Sequence, residues 1–234
     1  MTQQLLLDLQ PAPPPTLDNF IIGDNGEAVD ALRRCPPGRA VYLWGPPGTG
    51  RSHLLKALTH DTHTLYCPAS HAADLLRDIT HNETAGLRLV AVDDIELLDA
   101  AAQTALFALY NRWREAAAGK QAFALICAGD RAPLAMPLRE DLRTRLGWDL
   151  VFRLHVLSDD DRIRALETQA AERGLQLGPG VVNWILTHYA RDMSRLSALL
   201  NALDRYSLQK HRAITLPLLK DLLAASTPPD NAEL

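Results

Sequence analysis

The segment Gly45 to Ser52, GPPGTGRS, has the residue types and spacing of a phosphate-binding loop. Its glycines allow backbone N–H groups to approach phosphate oxygens, and a helix that begins there adds a favourable field. Arg51 stands where the usual pattern has lysine, so it keeps the positive charge but not the compact ammonium. An ordinary turn between a strand and a helix remains the alternative. The predicted nucleotide contacts in this segment are Gly45, Pro46, Gly48, Thr49, Gly50, Arg51, Ser52 and His53.

Two adjacent carboxylates follow the apolar run Leu87 to Val92. Open α/β sheets place their ligands at the carboxyl ends of strands, which is where Asp93 and Asp94 would lie. Asp93 is predicted to hold Mg²⁺ through water, together with the hydroxyl of Ser52. Asp94 stands where many ATPases have the glutamate that orients the attacking water, and its shorter side chain predicts slow hydrolysis. Two acids that begin a surface loop are the alternative.

A further acid and an arginine-rich helix complete the chemically interesting positions. Asp130 ends the apolar run AFALICAG, where it would lie beside the γ-phosphate as a polar sensor, although a strand-ending turn explains it equally well. In the helical pattern that follows, three leucines share one face through i, i+4 spacing. These are Leu138, Leu142 and Leu146. The pattern leaves Arg139 and Arg143 on one flank and Arg145 elsewhere, and by pattern alone such arginines are solvated.

Short apolar runs alternate with longer segments of helical spacing and so predict the elements that position these residues. The predicted strands are 40–45, 64–69, 87–94, 122–130 and 149–157. Alternating strands and helices imply a parallel sheet covered on both faces. After residue 157 only helical patterns follow: Ser158 is predicted to cap a helix with Asp161, and Gly174 to end it. The fold class is therefore an α/β parallel-sheet core with a small all-helical second domain.

Composition narrows the class of protein. The 234 residues contain 24 Lys and Arg against 28 Asp and Glu, a net charge of −4 that does not favour nucleic acid or an anionic membrane as the main ligand. The three widely spaced cysteines indicate reduced thiols. No apolar run reaches the length of a membrane span and no signal segment begins the chain, so a cytoplasmic protein without membrane contact is expected. The histidine pair His60 and His63 does not favour a metal site.

The predicted domain organisation has four parts. Residues 1–15, which end in the proline run PAPPP, are predicted to form a flexible tail. Residues 16–157 form the nucleotide-binding domain and residues 158–225 the helical domain. Residues 226–234 have the loose composition of a disordered tail.

From Thr16 to Ala225 the chain resembles the DnaA-related AAA+ ATPase family, and within it the short Hda-type regulators. The resemblance is carried by TLDNFIIGDN, the loop with GRS, the DD pair, AGDRAP and EDLRTRLGWD. It implies a phosphate-loop AAA+ core with a helical lid, bound to ADP or ATP with Mg²⁺, and it favours ADP. The initiator DnaA also has an interaction domain and a DNA-binding helix-turn-helix, for which 234 residues leave no room.

The resemblance also implies roles for residues outside the phosphate loop. Arg145 would be an arginine finger directed at a neighbouring subunit's nucleotide. Leu17, Phe20 and Ile22 would wall the adenine, although a contact that fixes the tail to the core would look the same. In ARDMSRLSALL the position of the second sensor arginine is Ser194, which leaves Arg195, one step away, as the candidate.

The amino-terminal tail resembles the QLxLxL peptide by which Hda-type proteins bind the β sliding clamp of DNA polymerase III. In such an extended peptide, a glutamine amide enters a polar niche and leucines fill an apolar groove. A tail that folds back on the core is the alternative. The predicted clamp-binding residues are Gln4, Leu5, Leu7 and Leu9.

These expectations describe an adaptor that binds adenine nucleotide and the DNA-loaded clamp and stimulates ATP hydrolysis by DnaA, thereby lowering replication initiation. Its own turnover would be weak, and it would meet DNA only through the clamp. Two alternatives stay open: a helicase-loader-type ATPase that acts on DNA, and a nucleotide-bound tethering module without a catalytic role. The sequence leaves the oligomeric state open, a homodimer included.

Overall fold

A parallel five-stranded sheet forms the centre of the first of two units. In the computed structural model, which describes residues 14–81, 86–178, 180–189 and 193–226, the strand order is β2-β3-β4-β1-β5, with all neighbours parallel. The strands are β1 Ala40–Trp44, β2 Thr64–Cys67, β3 Leu89–Val92, β4 Ala124–Gly129 and β5 Leu150–Arg153. The predicted parallel sheet is confirmed, and each strand lies within its predicted run.

Helices cover both faces of this sheet, as the nearly continuous apolar strands require. α1 Gly26–Arg33 and α2 Arg51–Ala57 pack on one face, against side chains such as Val41, Leu43 and Ile126. α3 Ala72–His81, α4 Ala100–Ala116 and α5 Glu140–Leu146 pack on the other. Leu138, Leu142 and Leu146 are all buried there, as their spacing predicts.

The strand predicted for residues 149–157 is shorter in the structure. β5 ends at Arg153, although the apolar run continues. Leu154 is fully buried and packs in the core beside β1, while its backbone N–H still donates to the carbonyl of Trp44. Burial explains the apolar residue Leu154 just past the strand, whereas Val156 further along the run is 49% exposed.

The second unit contains only helices among its described residues, with a core of its own. The helices are α6 Asp159–Glu172, α7 Val181–His188, α8 Met193–Lys210 and α9 Leu216–Ser226. Ser158 and Asp161 form the predicted reciprocal cap of α6, and Gly174 adopts the left-handed conformation with φ 68° just after it. The second, helical unit that the sequence predicts is therefore present.

The first unit spans Pro14–Val156 and the second begins at Leu157. The prediction that the carboxy-terminal tail starts at residue 226 is wrong by one residue, because Ser226 is the last residue of α9. At the other end, the exposed Pro14 begins the first unit, and its carbonyl accepts a hydrogen bond from the side-chain amide of Asn19. Residues 1–13 and 227–234 lie outside the described part.

Candidate phosphate-binding site and arginine surface

The segment between β1 and α2 has the backbone shape of a phosphate cradle. β1 lies between β4 and β5, so its carboxyl end is at the switch point where open sheets bind ligands. Gly48 and Gly50 have φ of 85° and 87°, which side chains rarely adopt. A Cβ at Gly48 would meet nothing within 4 Å, so the backbone there is open to a ligand. At Gly45 a Cβ would lie 2.5 Å from the carbonyl oxygen of Leu154, so this glycine allows close packing instead.

The remaining loop residues hold the turn or face solvent. Thr49 is buried, and its hydroxyl donates to the carbonyl of Pro46 at 3.0 Å, which closes the turn locally. Pro46 itself is exposed, and Ser52 is half-buried in the first turn of α2. The predicted contact between the Ser52 hydroxyl and Mg²⁺ stays a prediction.

Arg51, the first residue of α2, has a side chain only 9% exposed. Its Nη2 lies 3.3 Å from Oδ1 of Asp94 and 3.4 Å from Oε1 of Glu96. Its Nη1 is buried without a hydrogen-bond partner among the described residues. A buried N–H without an acceptor is energetically costly, and a bound anion would supply the missing acceptor.

The acids after β3 occupy different environments. Asp93 is 1% exposed, and its carboxylate accepts from the hydroxyl of Tyr66 at 2.7 Å and from the backbone N–H of Asp94 at 3.0 Å. Asp94 is half-buried. Its φ of 47° lies in the left-handed region, which is an unusual backbone conformation for a residue other than glycine. Burial raises the pKa of the Asp94 carboxyl, and the neighbouring Asp93 raises it further.

Glu96 and Asp130 add two acids to this edge of the sheet. The side chain of Glu96 is 12% exposed, and its Oε2 is buried with no partner in the described part of the chain. Burial raises the pKa of the Glu96 carboxyl. Asp130 pairs with Arg131, and that hydrogen bond holds the pKa of the Asp130 carboxyl below its ordinary value. The hydroxyl of Tyr42 donates to the carbonyl of Arg131 and thereby fixes the turn that carries Asp130.

The residues present fit a phosphate group with Mg²⁺. The open backbone at Gly48 and the unpartnered Nη1 of Arg51 supply donors for phosphate oxygens. The carboxylates at the edge are the oxygen ligands that Mg²⁺ prefers, directly or through water. In the described residues no group of three or more His, Cys, Asp or Glu side chains forms a metal-binding cluster by itself. A cation at this edge would therefore need phosphate oxygens to complete its ligands.

The segment before α1 packs beside the phosphate loop. Leu17 and Phe20 are half-buried against the core, whereas Ile22 is 39% exposed. The ring of Phe20 lies 5.5 Å from the ring of His53 and directly against Gly50. Nε2 of His53 contacts the carbonyl of Thr16 at 3.0 Å, so His53 ties this segment to α2. Phe20 is thus brought to the loop, while Ile22 is left on the surface.

Arg145 lies in a separate arrangement between α4 and α5. Its guanidinium stacks on the ring of Phe107, 3.6 Å from the centroid, and its Nη2 donates to Oδ1 of Asn111 at 2.9 Å. Trp148, 45% exposed, lies on another side at 5.0 Å. Nε of Arg145 is buried without a partner within the described residues. The Arg145 side chain is half-buried, and Phe107, Asn111 and Trp148 hold its orientation.

Other arginines surround this position. Arg114 stacks on Trp148 at 5.0 Å, and Arg139 lies over Phe107 at 5.4 Å. Burial lowers the pKa of Arg145, and the two neighbouring arginines add to that effect. The expected flank of Arg139 with Arg143 is wrong, because Arg139 is the N-cap residue with ψ 144° and so does not follow helical angles. Arg143 instead reaches the carbonyl of Leu134 at 3.4 Å.

Two predicted sites lie elsewhere. Arg195 is exposed on α8 in the second unit. The predicted clamp-binding residues, namely Gln4, Leu5, Leu7 and Leu9, lie outside the described residues.

Sequence reasoning missed four side chains that hold the predicted ones in place. They are Tyr66, Glu96, Phe107 and Asn111. Their positions in the sequence could have identified them. Tyr66 lies near the end of a predicted strand, and Glu96 follows the acid pair by two residues. Phe107 and Asn111 are one helical turn apart in α4, so both can face the same neighbour.

Three kinds of comparison relate the chain to known proteins. The family model "Hda, lid domain" matches residues 159–223. A Haemophilus influenzae protein described only as uncharacterized is 32% identical over 95% of this chain and 99% of its own length.

In the described residues no helix is both long and apolar enough to cross a membrane.

Solved structures share the fold at low identity. Domain III of the replication initiation protein DnaA from Thermotoga maritima superposes with a TM-score of 0.71 and 20% identity, over 91% of this chain and 98% of that one. AMPPCP-bound DnaA from Aquifex aeolicus gives 0.64 and 20%, over 86% and 71%. The Thermotoga maritima RuvB Holliday junction branch migration motor gives 0.65 and 19%, over 90% and 72%.

Proposed function

The chain belongs to the DnaA-related AAA+ ATPase family, and on that premise we propose that it is a nucleotide-bound adaptor that stimulates ATP hydrolysis by DnaA. Arg145 carries this proposal. It belongs to no ion pair among the described residues, yet it is stacked on Phe107 and hydrogen-bonded to Asn111. A guanidinium held in this way suits a finger that must place a fixed charge against a partner's phosphates.

The chain's own site supports binding more than catalysis. The cradle at Gly48 and the free Nη1 of Arg51 would hold the phosphates of ADP or ATP, with ADP as the favoured ligand. Mg²⁺, held by Ser52 and Asp93, would neutralise phosphate charge. Arg51 stands in place of the usual lysine and Asp94 in place of the usual glutamate, and both differences favour slow turnover by the chain itself. AMPPCP-bound DnaA resembles this chain in fold alone.

In this proposal, the DNA-loaded clamp is the place where the chain meets DnaA and stimulates its ATP hydrolysis. We place its binding site in the amino-terminal peptide at Gln4, Leu5, Leu7 and Leu9, so that the chain reaches DNA only through the loaded clamp. Replication initiation would then fall because DnaA is converted from its ATP form to its ADP form.

A coupled assay tests the proposal: hydrolysis by DnaA is measured with the DNA-loaded clamp and either the wild-type chain or Arg145→Ala. We expect Arg145→Ala to lose stimulation by about 10³- to 10⁵-fold, the range for arginine fingers, while ADP and clamp affinities stay unchanged. Arg143→Ala is the matched control because Arg143 lies on the same helix and its described hydrogen bond is to the carbonyl of Leu134. Equal behaviour of the two variants would contradict the finger.

The same assay separates the alternatives. Full stimulation by Arg145→Ala would leave a nucleotide-bound tethering module. Rapid hydrolysis by the chain alone, near the median enzyme rate of about 10 per second, together with affinity for single-stranded DNA, would indicate a helicase-loader-type ATPase.

A further inference from the structure

The two ends of the Arg51 guanidinium have unequal environments. Nη2 is shared between Asp94 at 3.3 Å and Glu96 at 3.4 Å. Nη1 is buried and has no hydrogen-bond partner within the described chain. Because the guanidinium is rigid and planar, fixing Nη2 also fixes the direction of Nη1. The carboxylates therefore determine which way the free donor points.

Of these two acids, Glu96 is the more firmly placed. It lies in a short turn, Ile95–Leu97, whose first residue is fully buried against the sheet. The side chain of Glu96 is 12% exposed, whereas that of Asp94 is 40% exposed. Solvent competes less with a buried pair than with an exposed one. The hydrogen bond that Arg51 donates to Glu96 therefore restrains the guanidinium more than the one it donates to Asp94.

We infer that Glu96 is the positioning residue of the nucleotide site, which holds Nη2 of Arg51 so that Nη1 serves a phosphate oxygen. This inference rests on the proposed binding of ADP or ATP. It also explains why arginine works in place of lysine: a fork of donors bonds carboxylates at one end and phosphate at the other, whereas an ammonium is a single point charge.

The inference predicts the sign of a measurable effect. Glu96 is an acid at a site for an anion, so through-space repulsion alone would make its removal strengthen nucleotide binding. Positioning makes its removal weaken binding, because Arg51 loses its orientation. The two explanations therefore predict opposite changes in ADP affinity.

The experiment is a double-mutant cycle with ADP titrated by calorimetry into the full chain. Glu96→Ala is expected to weaken ADP binding about tenfold, the lower range for loss of a supporting contact. Glu96→Gln, which keeps the shape and one acceptor, is expected to weaken it less. In an Arg51→Ala background, Glu96→Ala is expected to leave ADP affinity unchanged or to raise it, because no guanidinium remains to be positioned.

Several outcomes would overturn the inference. ADP affinity that is unchanged or tighter in both Glu96 variants would leave only repulsion, and equal weakening in the Arg51→Ala background would show a general structural effect. Thermal unfolding of each variant identifies loss of fold, and Glu96→Gln keeps the test valid if Glu96→Ala does not fold. A wild-type chain that binds neither ADP nor ATP would instead overturn the nucleotide proposal together with this one.

Discussion

His53 shows how one half-buried titratable side chain joins two parts of the site. Its ring packs against Phe20, and its Nε2 contacts the carbonyl of Thr16 at 3.0 Å. Burial lowers its pKa below the ordinary 6.5, although the contact with Thr16 opposes the shift. The neutral ring is therefore the form that the folded chain prefers.

The first prediction at this scale follows from that shift. The unfolded chain binds the proton of His53 more readily than the folded chain does, so stability from neutral His53 is present above pH 6.5 and is lost as the pH falls below it. His53→Phe keeps an aromatic ring and does not titrate. We expect its free energy of unfolding in urea to change less between pH 7.5 and 5.5 than that of the wild type. Equal pH dependence of the two proteins would contradict this assignment.

Charges at the phosphate edge illustrate a second point about residues. Four acids, namely Asp93, Asp94, Glu96 and Asp130, lie at the carboxyl ends of β3 and β4. Their partners differ: Asp93 accepts from Tyr66, and Asp130 pairs with Arg131. These two acids therefore have different environments: the partner of Asp93 comes from the neighbouring strand β2, whereas that of Asp130 is the next residue in the chain.

At the scale of elements, the turn between β1 and α2 depends on two glycines that do different work. Gly48 and Gly50 share the left-handed backbone, but only Gly50 lies against a side chain. A Cβ at Gly50 would lie 2.6 Å from Cε2 of Phe20, while a Cβ at Gly48 would meet nothing within 4 Å. Gly48 therefore leaves room for a ligand, whereas Gly50 leaves room for Phe20 in the segment that precedes α1.

Alanine substitutions test this division. Both Gly48→Ala and Gly50→Ala place a side chain in the left-handed region, at about 1–2 kcal/mol each. Gly50→Ala must also displace Phe20, so we expect a larger loss in the free energy of unfolding than for Gly48→Ala, as measured by urea denaturation. Equal losses would show that Phe20 yields without cost. ADP affinity should fall in Gly48→Ala because the added Cβ narrows the open cradle.

At the scale of the whole molecule, separate surfaces carry the separate proposed tasks. The nucleotide edge is built from loops after β1, β3 and β4, whereas Arg145 is held between α4 and α5. The peptide proposed to bind the clamp lies outside the described residues. A variant in one surface should therefore leave the other activities intact.

The tail variant Gln4→Ala with Leu5→Ala tests this separation. We expect it to abolish binding to an immobilised β clamp, since both the polar and the apolar anchors are removed, with no change in melting temperature or ADP affinity. Thr2→Ala with Gln3→Ala is the matched control, which changes the same tail outside the motif. Retained clamp binding by the first variant would assign docking to another surface, and a large loss of stability would favour a tail packed on the core.

The sequence by itself determined the elements and much of the site chemistry, because both depend on residues close together in the chain. Apolar runs predicted the strands, Ser158 with Asp161 predicted the start of α6, and GPPGTGRS predicted a glycine-rich loop between a strand and a helix. Periodicity and backbone conformation are local properties, so a single sequence contains them.

Only the tertiary structure decided which side chain supports which. Glu96 lies 45 residues from Arg51, Tyr66 lies 27 residues from Asp93, and Asn111 lies 34 residues from Arg145. No local pattern contains such pairings, because the parallel sheet brings strand ends together regardless of their distance along the chain. Burial then made these pairings consequential, since a donor or acceptor removed from water must find its partner within the fold.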